Sequence, residues 1–128
     1  MGRSRGVLHG LFLLLVEDHE DTRDYLRTML EYHGASVNAV ATVDEAMGIL
    51  REIRVDAIVT DIGLRQKPGT WLLEEVRRTP RFARTPVIAV TGRSVPWSLR
   101  TMFDGFLEKP VDLEQLCAVV LAACRRPA

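Results

Sequence analysis

Short apolar runs alternate along the chain with segments in which apolar residues recur at helical spacing. The strand-length runs cover about 11–16, 36–40, 56–61, 86–91 and 106–108. A helical segment follows each run, but after the fourth run only about six residues separate Pro96 from a turn at 103–105. This alternation is typical of repeated βα units around a parallel sheet. The pattern therefore predicts five parallel strands with helices on both faces and a shortened fourth helix.

Several helix boundaries carry local signals of their own. Gly34 follows the first helical segment and is a typical C-terminal stop. Thr42 and Glu45 have the spacing of a capping box, which predicts a second helix whose apolar face includes Ile53. Asp112 precedes the last helical segment as a candidate N-cap. Right-handed crossovers between these units give a three-layer α/β sandwich with strand order 2-1-3-4-5.

The length and the charge balance limit the possible classes of protein. A chain of 128 residues is long enough for one hydrophobic core and too short for two ordinary domains. We expect a flexible N-terminal extension at 1–10, one domain at 11–125 and a tail at 126–128. The 17 basic and 17 acidic residues cancel, which argues against direct nucleic-acid or membrane binding. The densest arginine cluster, within 77–84, accordingly fits a solvated face.

The termini and the cysteines favour a cytoplasmic protein. The apolar stretch near the start imitates a signal peptide, but His9 and Gly10 interrupt it and no small-residue cleavage pattern follows. No run approaches the roughly 18 apolar residues that a membrane span requires. Cys117 and Cys124 are seven residues apart in a helical pattern, too far for a disulfide within that helix. We therefore expect two reduced thiols.

Chemically reactive side chains stand where the predicted strands end. Glu17 and Asp18 follow the first strand, Asp61 closes the third, Thr91 closes the fourth, and Lys109 follows the fifth. Ligands of an open parallel sheet bind outside the carboxyl ends of its strands. Three converging carboxylates require a cation, and hard oxygen ligands favour Mg²⁺, or a similar ion such as Mn²⁺, over zinc. These residue types suit phosphoryl transfer to Asp61, with Thr91 and Lys109 contacting phosphoryl oxygens.

Four motifs give the chain a family resemblance. They are Leu-Leu-Val-Glu-Asp at 14–18, Ile-Val-Thr-Asp-Ile-Gly-Leu at 58–64, Val-Thr-Gly at 90–92, and Gly-Phe-Leu-Glu-Lys-Pro-Val-Asp at 105–112. With them the chain resembles a receiver domain of a two-component response regulator, either a single-domain regulator of the chemotaxis type or a receiver from a hybrid kinase. The resemblance implies a flavodoxin-like fold and a phosphorelay switch that is not itself an enzyme beyond its own phosphorylation and slow dephosphorylation.

The resemblance also implies a role for each site residue. Asp61 accepts a phosphoryl group from a histidine kinase or a histidine phosphotransfer protein, and the output is binding to an unknown downstream protein. Asp18, Asp61 and the backbone carbonyl of Gly63 bind the ion, with Glu17 acting through water. The resemblance further implies that Thr91 and Phe106 move on phosphorylation, that Lys109 neutralises the phosphate, and that Pro110 follows a cis peptide bond. Viewed alone, Phe106 is equally compatible with a plain core residue. A monomer or weak dimer is expected.

The chain departs from the family pattern in two places. Four residues after the phosphoacceptor, Arg65 stands where the family usually has proline, and Lys67 makes the same loop more basic. Arg93 lies where family members tune phosphate hydrolysis. The distance from Thr91 to Lys109 is about four residues shorter than usual, roughly one helical turn. The output face around Trp97 is therefore predicted to differ from the family's. Trp97 itself is equally compatible with an exposed anchor for a partner and with an aromatic that covers the core.

Two other functions remain open from the sequence. One is a receiver-like interaction module that no longer depends on phosphate, a hypothesis suggested by the shortened fourth helix. The other is a free-standing phosphohydrolase of the haloacid-dehalogenase type. Such an enzyme needs a second aspartate two residues after the nucleophile, and that position is Gly63.

Overall fold

A computed structural model describes residues 6–92 and 94–125. The strands are β1 (Phe12–Val16), β2 (Ser36–Val40), β3 (Ala57–Asp61), β4 (Val87–Thr91) and β5 (Gly105–Glu108). The helices are α1 (Glu20–Tyr32), α2 (Val43–Glu52), α3 (Gly69–Arg78), α4 (Trp97–Arg100) and α5 (Leu113–Cys124), with a 3-10 turn at Pro80–Phe82. All strand pairs are parallel, in the order β2-β1-β3-β4-β5. The predicted strand order and shortened fourth helix are confirmed.

Two apolar clusters fill the space on either side of the sheet. Leu14 and Val16 of β1 belong to the cluster that includes α2 and α3, whereas Leu13 and Leu15 belong to the cluster with α1 and α5. Successive side chains of a strand point to opposite faces, so a strand covered on both sides must be apolar throughout. This explains the continuous apolar run of β1 and produces the three-layer sandwich.

The local helix signals act as predicted, with one exception. Gly34 has φ +103°, and the Thr42 and Glu45 side chains make the reciprocal hydrogen bonds of a capping box. The Asp112 side chain accepts the Gln115 N–H at the start of α5. The prediction that Ile53 continues the apolar face of α2 is wrong: α2 ends at Glu52, and Ile53 is extended and 40% exposed.

Part of the predicted N-terminal extension packs against the domain. Leu8 is completely buried, and its backbone N–H donates to the His33 carbonyl over 2.8 Å. Leu8 thereby covers one end of the cluster between α1 and α5. The rest of the predicted extension, 1–5, and the predicted tail, 126–128, lie outside the described residues.

The arginine cluster near 77–84 also has a structural member. The Arg77 guanidinium donates to the carbonyls of Ala83 and Thr85 and pairs with Asp104, which in turn accepts the Val87 N–H. These contacts join the end of α3 to the starts of β4 and β5, so Arg77 is not simply solvated.

The two cysteines and the lengths of the helices relate to the predictions about disulfides and membrane spans. Cys117 and Cys124 are both free thiols. Within 6–92 and 94–125, no helix is long and apolar enough to cross a membrane.

Candidate functional site

Three carboxylates meet at the carboxyl ends of β1 and β3. These strands are direct neighbours, with Val16 beside Thr60, so the residues that follow them come together. One oxygen each from Glu17, Asp18 and Asp61 lies within 4.8 Å of the other two. Glu17 is buried, and the other two are partly exposed. The three acids that follow or close the first and third predicted strands thus lie in one group, as expected for the carboxyl ends of parallel strands.

Lys109 places an ammonium among these acids. Its Nζ lies 2.7 Å from Glu17 Oε1 and 3.5 Å from Asp61 Oδ2. Burial opposes the ammonium's charge, but the hydrogen bond to Glu17 and the charges of Asp61 and Glu17 outweigh it and raise the pKa of Lys109. The group is thus charged at neutral pH. The Lys109 N–H donates to the Thr91 carbonyl over 2.8 Å, and the Lys109–Pro110 peptide is cis.

Each carboxylate also accepts a backbone N–H. The amide of His19 donates to Glu17 Oε2 over 3.1 Å, and that of Gly63 donates to Asp61 Oδ1 over 3.2 Å. The third donor is the amide of Arg65, 2.8 Å from Asp18 Oδ2. Hydrogen bonds from backbone amides fix the orientation of each carboxylate. The loop containing Gly63 and Arg65 is thus part of the site.

That loop is closed by Gly69 and held by Lys67. The Gly69 N–H donates to the Ile62 carbonyl over 2.9 Å, and a Cβ on Gly69 would overlap the Asp61 carbonyl oxygen. Lys67 Nζ lies 2.8 Å from Asp44 Oδ1 and 4.4 Å from the centroid of the Trp71 ring system. The sequence favoured a solvated Lys67 and did not indicate this partner, since Asp44 is 23 residues away and belongs to α2.

The remaining predicted residues lie on β4 and β5. Thr91, the buried last residue of β4, pairs with Glu108 in the parallel ladder, and Phe106 is partly buried in β5. The Arg100 guanidinium lies 4.5 Å from the Phe106 ring centroid and 5.9 Å from that of Trp97, which is 73% exposed. Sequence reasoning missed Arg100. Arg93, predicted to affect phosphate lifetime, lies outside the described residues.

A family model described as the response regulator receiver domain matches residues 13–121. The chain belongs to this family. It is 33% identical over 106 residues to the two-component response regulator ORR13 of Oryza sativa subsp. japonica, covering 79% of this chain and 88% of that protein. It is 35% identical over 118 residues to the transcriptional regulatory protein AfsQ1 of Streptomyces coelicolor, covering 89% of this chain. The chain spans about half (51%) of the length of AfsQ1.

Solved receiver structures agree with the fold. The receiver domain of the sensor histidine kinase PA1611 from Pseudomonas aeruginosa PAO1, with a magnesium ion coordinated in its active-site cleft, superimposes with a TM-score of 0.84 at 26% identity. That superposition covers 91% of this chain and 99% of the other. A putative response regulator from Chloroflexus aurantiacus J-10-fl has the same TM-score at 24% identity, covering 91% and 98%, which supports the fold alone.

These matches establish the class of protein. The chain is a receiver domain of the two-component response regulator type, and neither a phosphate-independent module nor a phosphohydrolase is favoured. Receiver domains bind Mg²⁺ in their acidic cluster and interact with histidine kinases or phosphotransfer proteins. The family match indicates no catalytic enzyme family.

Proposed function

We propose that Asp61 accepts a phosphoryl group from a histidine kinase or a histidine phosphotransfer protein and thereby changes the domain's binding of a downstream protein. The convergence of Glu17, Asp18 and Asp61 beside the Lys109 ammonium carries this proposal. Among the three acids, Asp61 terminates the central strand, has one oxygen fixed by the Gly63 amide and has the other facing Lys109. Of the three acids, Asp61 is therefore the best placed to act as the nucleophile.

The donor set suits a divalent metal ion. Three hard carboxylate oxygens within 4.8 Å of one another match the ligand preference of Mg²⁺ or Mn²⁺ and contain no nitrogen or sulfur donor that would select zinc. Asp18, Asp61 and the Gly63 carbonyl would hold the ion, with Glu17 acting through water. A bound divalent ion supplies positive charge that offsets the negative charge of the transferring phosphoryl group.

The chain's own residues account for the transfer. A carboxylate oxygen of Asp61 forms the new bond to phosphorus while the bond from phosphorus to the donor's histidine nitrogen breaks and leaves its electron pair on the imidazole. Lys109 neutralises one phosphoryl oxygen and the Thr91 hydroxyl donates to another. Because this step is mostly positioning and charge stabilisation, the fixed backbone donors of the site matter as much as the nucleophile.

The response to phosphorylation is proposed to involve the segment from 94 to 110. Thr91 and Phe106 would shift between two states and alter the surface around α4 and β5. The four-residue α4 and the exposed Trp97 give this surface its own shape, so the partner is a protein that recognises it. We propose that the domain works in the cytoplasm as a monomer or weak dimer.

The test is intact mass after incubation with acetyl phosphate, with and without Mg²⁺. We expect a metal-dependent gain of one phosphoryl group in the wild type and in Asp24→Asn, an exposed aspartate of α1 used as the matched control. The gain should be absent in Asp61→Asn. A wild-type protein that gains no mass, or an Asp61→Asn variant that gains as much as the wild type, would overturn the proposal.

A further inference from the structure

Arg65 brings a second cation to the acidic site. Its backbone N–H donates to Asp18 Oδ2 over 2.8 Å, and its side-chain Nε lies 3.8 Å from the same oxygen. The Arg65 side chain is 80% exposed, whereas that of Asp18 is only 17% exposed. A carboxylate proposed to bind the metal ion thus already has a positive charge in contact with it, on the solvent side of the site.

The fold fixes where Arg65 stands. Ile62 and Leu64 of the same loop are each 8% exposed and belong to the apolar cluster beneath it. The amide of Gly69 closes the loop onto Ile62, and Lys67 attaches it to Asp44 of α2. The backbone of Arg65 is therefore held beside Asp18, while its long side chain extends into solvent and can swing away from the carboxylate at small cost.

We infer that Arg65 is an exchangeable counter-ion of Asp18 that competes with the divalent metal ion and so sets the Mg²⁺ concentration at which the site fills. The inference rests on the proposed metal site. The Arg65 guanidinium and a divalent ion held by Asp18 would repel each other across the same carboxylate, so Arg65 would weaken binding of the ion. Lys109 differs, because it lies 2.7 Å from the buried Glu17 and is itself largely shielded from solvent.

The size of the effect follows from the exposure of the pair. Exposed ion pairs contribute at most about 1 kcal/mol, which corresponds to about a fivefold change in a dissociation constant. Removing the charge should therefore tighten Mg²⁺ binding by about twofold to fivefold. Since the pair is accessible to solvent, the difference should shrink as ionic strength rises.

The experiment is titration calorimetry of the whole chain with MgCl₂ alone, at about 20 mM and about 300 mM ionic strength, where screening differs strongly. We expect tighter Mg²⁺ binding in Arg65→Ala at low salt, a much smaller difference at high salt, and nearly wild-type binding in Arg65→Lys, which keeps the charge. Arg81→Ala, in the 3-10 turn at the other end of the sheet, is the matched control for net charge. It should bind Mg²⁺ as the wild type does.

Each other outcome overturns the inference. The inference is overturned if Arg65→Ala binds Mg²⁺ no more tightly than the wild type, or if Arg81→Ala gains as much affinity. It is also overturned if the gain in Arg65→Ala survives high salt, or if the wild type binds no Mg²⁺. Circular dichroism checks that the variants are folded. Because no phosphodonor is present, a failure of Asp61 to accept phosphate would leave this result standing, so the two proposals fail separately.

Discussion

The ion pair between Lys109 and Glu17 makes a prediction about stability that can be worked out from the structure. Lys109 Nζ lies 2.7 Å from Glu17 Oε1, and the exposed fractions of the two side chains are 24% and 2%. Lys109→Met keeps most of the length of the side chain but removes its charge. Among the contacts described, the Glu17 carboxylate would then keep only the His19 amide as a hydrogen-bond donor, in a group that also contains Asp18 and Asp61.

The expected loss in the free energy of unfolding is about 2 kcal/mol. Removing one partner of a buried ion pair costs about 3–5 kcal/mol, because an uncompensated buried charge is left behind. An exposed pair contributes only about 0–1 kcal/mol. Lys109 is a quarter exposed and water can partly replace it, so the estimate falls between these limits.

Urea denaturation followed by circular dichroism, in metal-free buffer, measures this difference. Lys67→Met is the matched control: its 2.8 Å pair with Asp44 joins side chains that are 41% and 67% exposed, so its loss should stay below about 1 kcal/mol. Adding Glu17→Gln to Lys109→Met should recover part of the lost stability, because it removes the unpaired charge. Equal losses in the two lysine variants, or no recovery in the double variant, would refute the reasoning.

Two further predictions concern the glycines and the thiols. Gly69→Ala should lower the free energy of unfolding by about 2 kcal/mol, because the added Cβ would overlap the Asp61 carbonyl oxygen. Gly48→Ala, with open space inside α2, should raise it by about 0.5–1 kcal/mol. Thermal melts compare the two variants, and destabilisation by both would contradict this prediction. Burial raises the pKa of Cys117 and of Cys124, so the folded protein has less thiolate at about pH 8 than the unfolded chain. Iodoacetamide should therefore alkylate the folded protein far more slowly than the urea-unfolded chain. Equal alkylation rates would contradict this prediction.

The features that could be predicted from the sequence share one physical property: each depends on local pattern or on the topology of parallel sheets. The Thr42 and Glu45 capping box acts within four residues, and the apolar run of β1 follows from burial on both faces. Asp18 and Asp61 are 43 positions apart, yet a general rule about the carboxyl ends of parallel strands brings them together.

The features that could not be predicted depend on packing between particular elements. Leu8 reads as part of a loose terminus until the space beside α1 is known, and Ile53 matches the helical period although α2 has already ended. Arg100, the last residue of the single-turn α4, lies 4.5 Å from the Phe106 ring centroid, a contact between two elements that the sequence does not indicate. None of these placements follows from a period or a motif.

The two departures from the family pattern differ in the same way. Arg65 and Lys67 read as surplus positive charge, but each lies against an acid from a distant part of the chain, Asp18 and Asp44. The positive charges of this loop are therefore paired with nearby acids. A proline at position 65 would lack the backbone N–H that Arg65 donates to Asp18. The consequence of the shortened α4 cannot be found in this way, because α4 changes the shape of a surface and not a balance of charges. Charged residues are visible in the sequence, and oppositely charged partners can be sought there. The shape of a surface is defined only once the helices and strands have packed together.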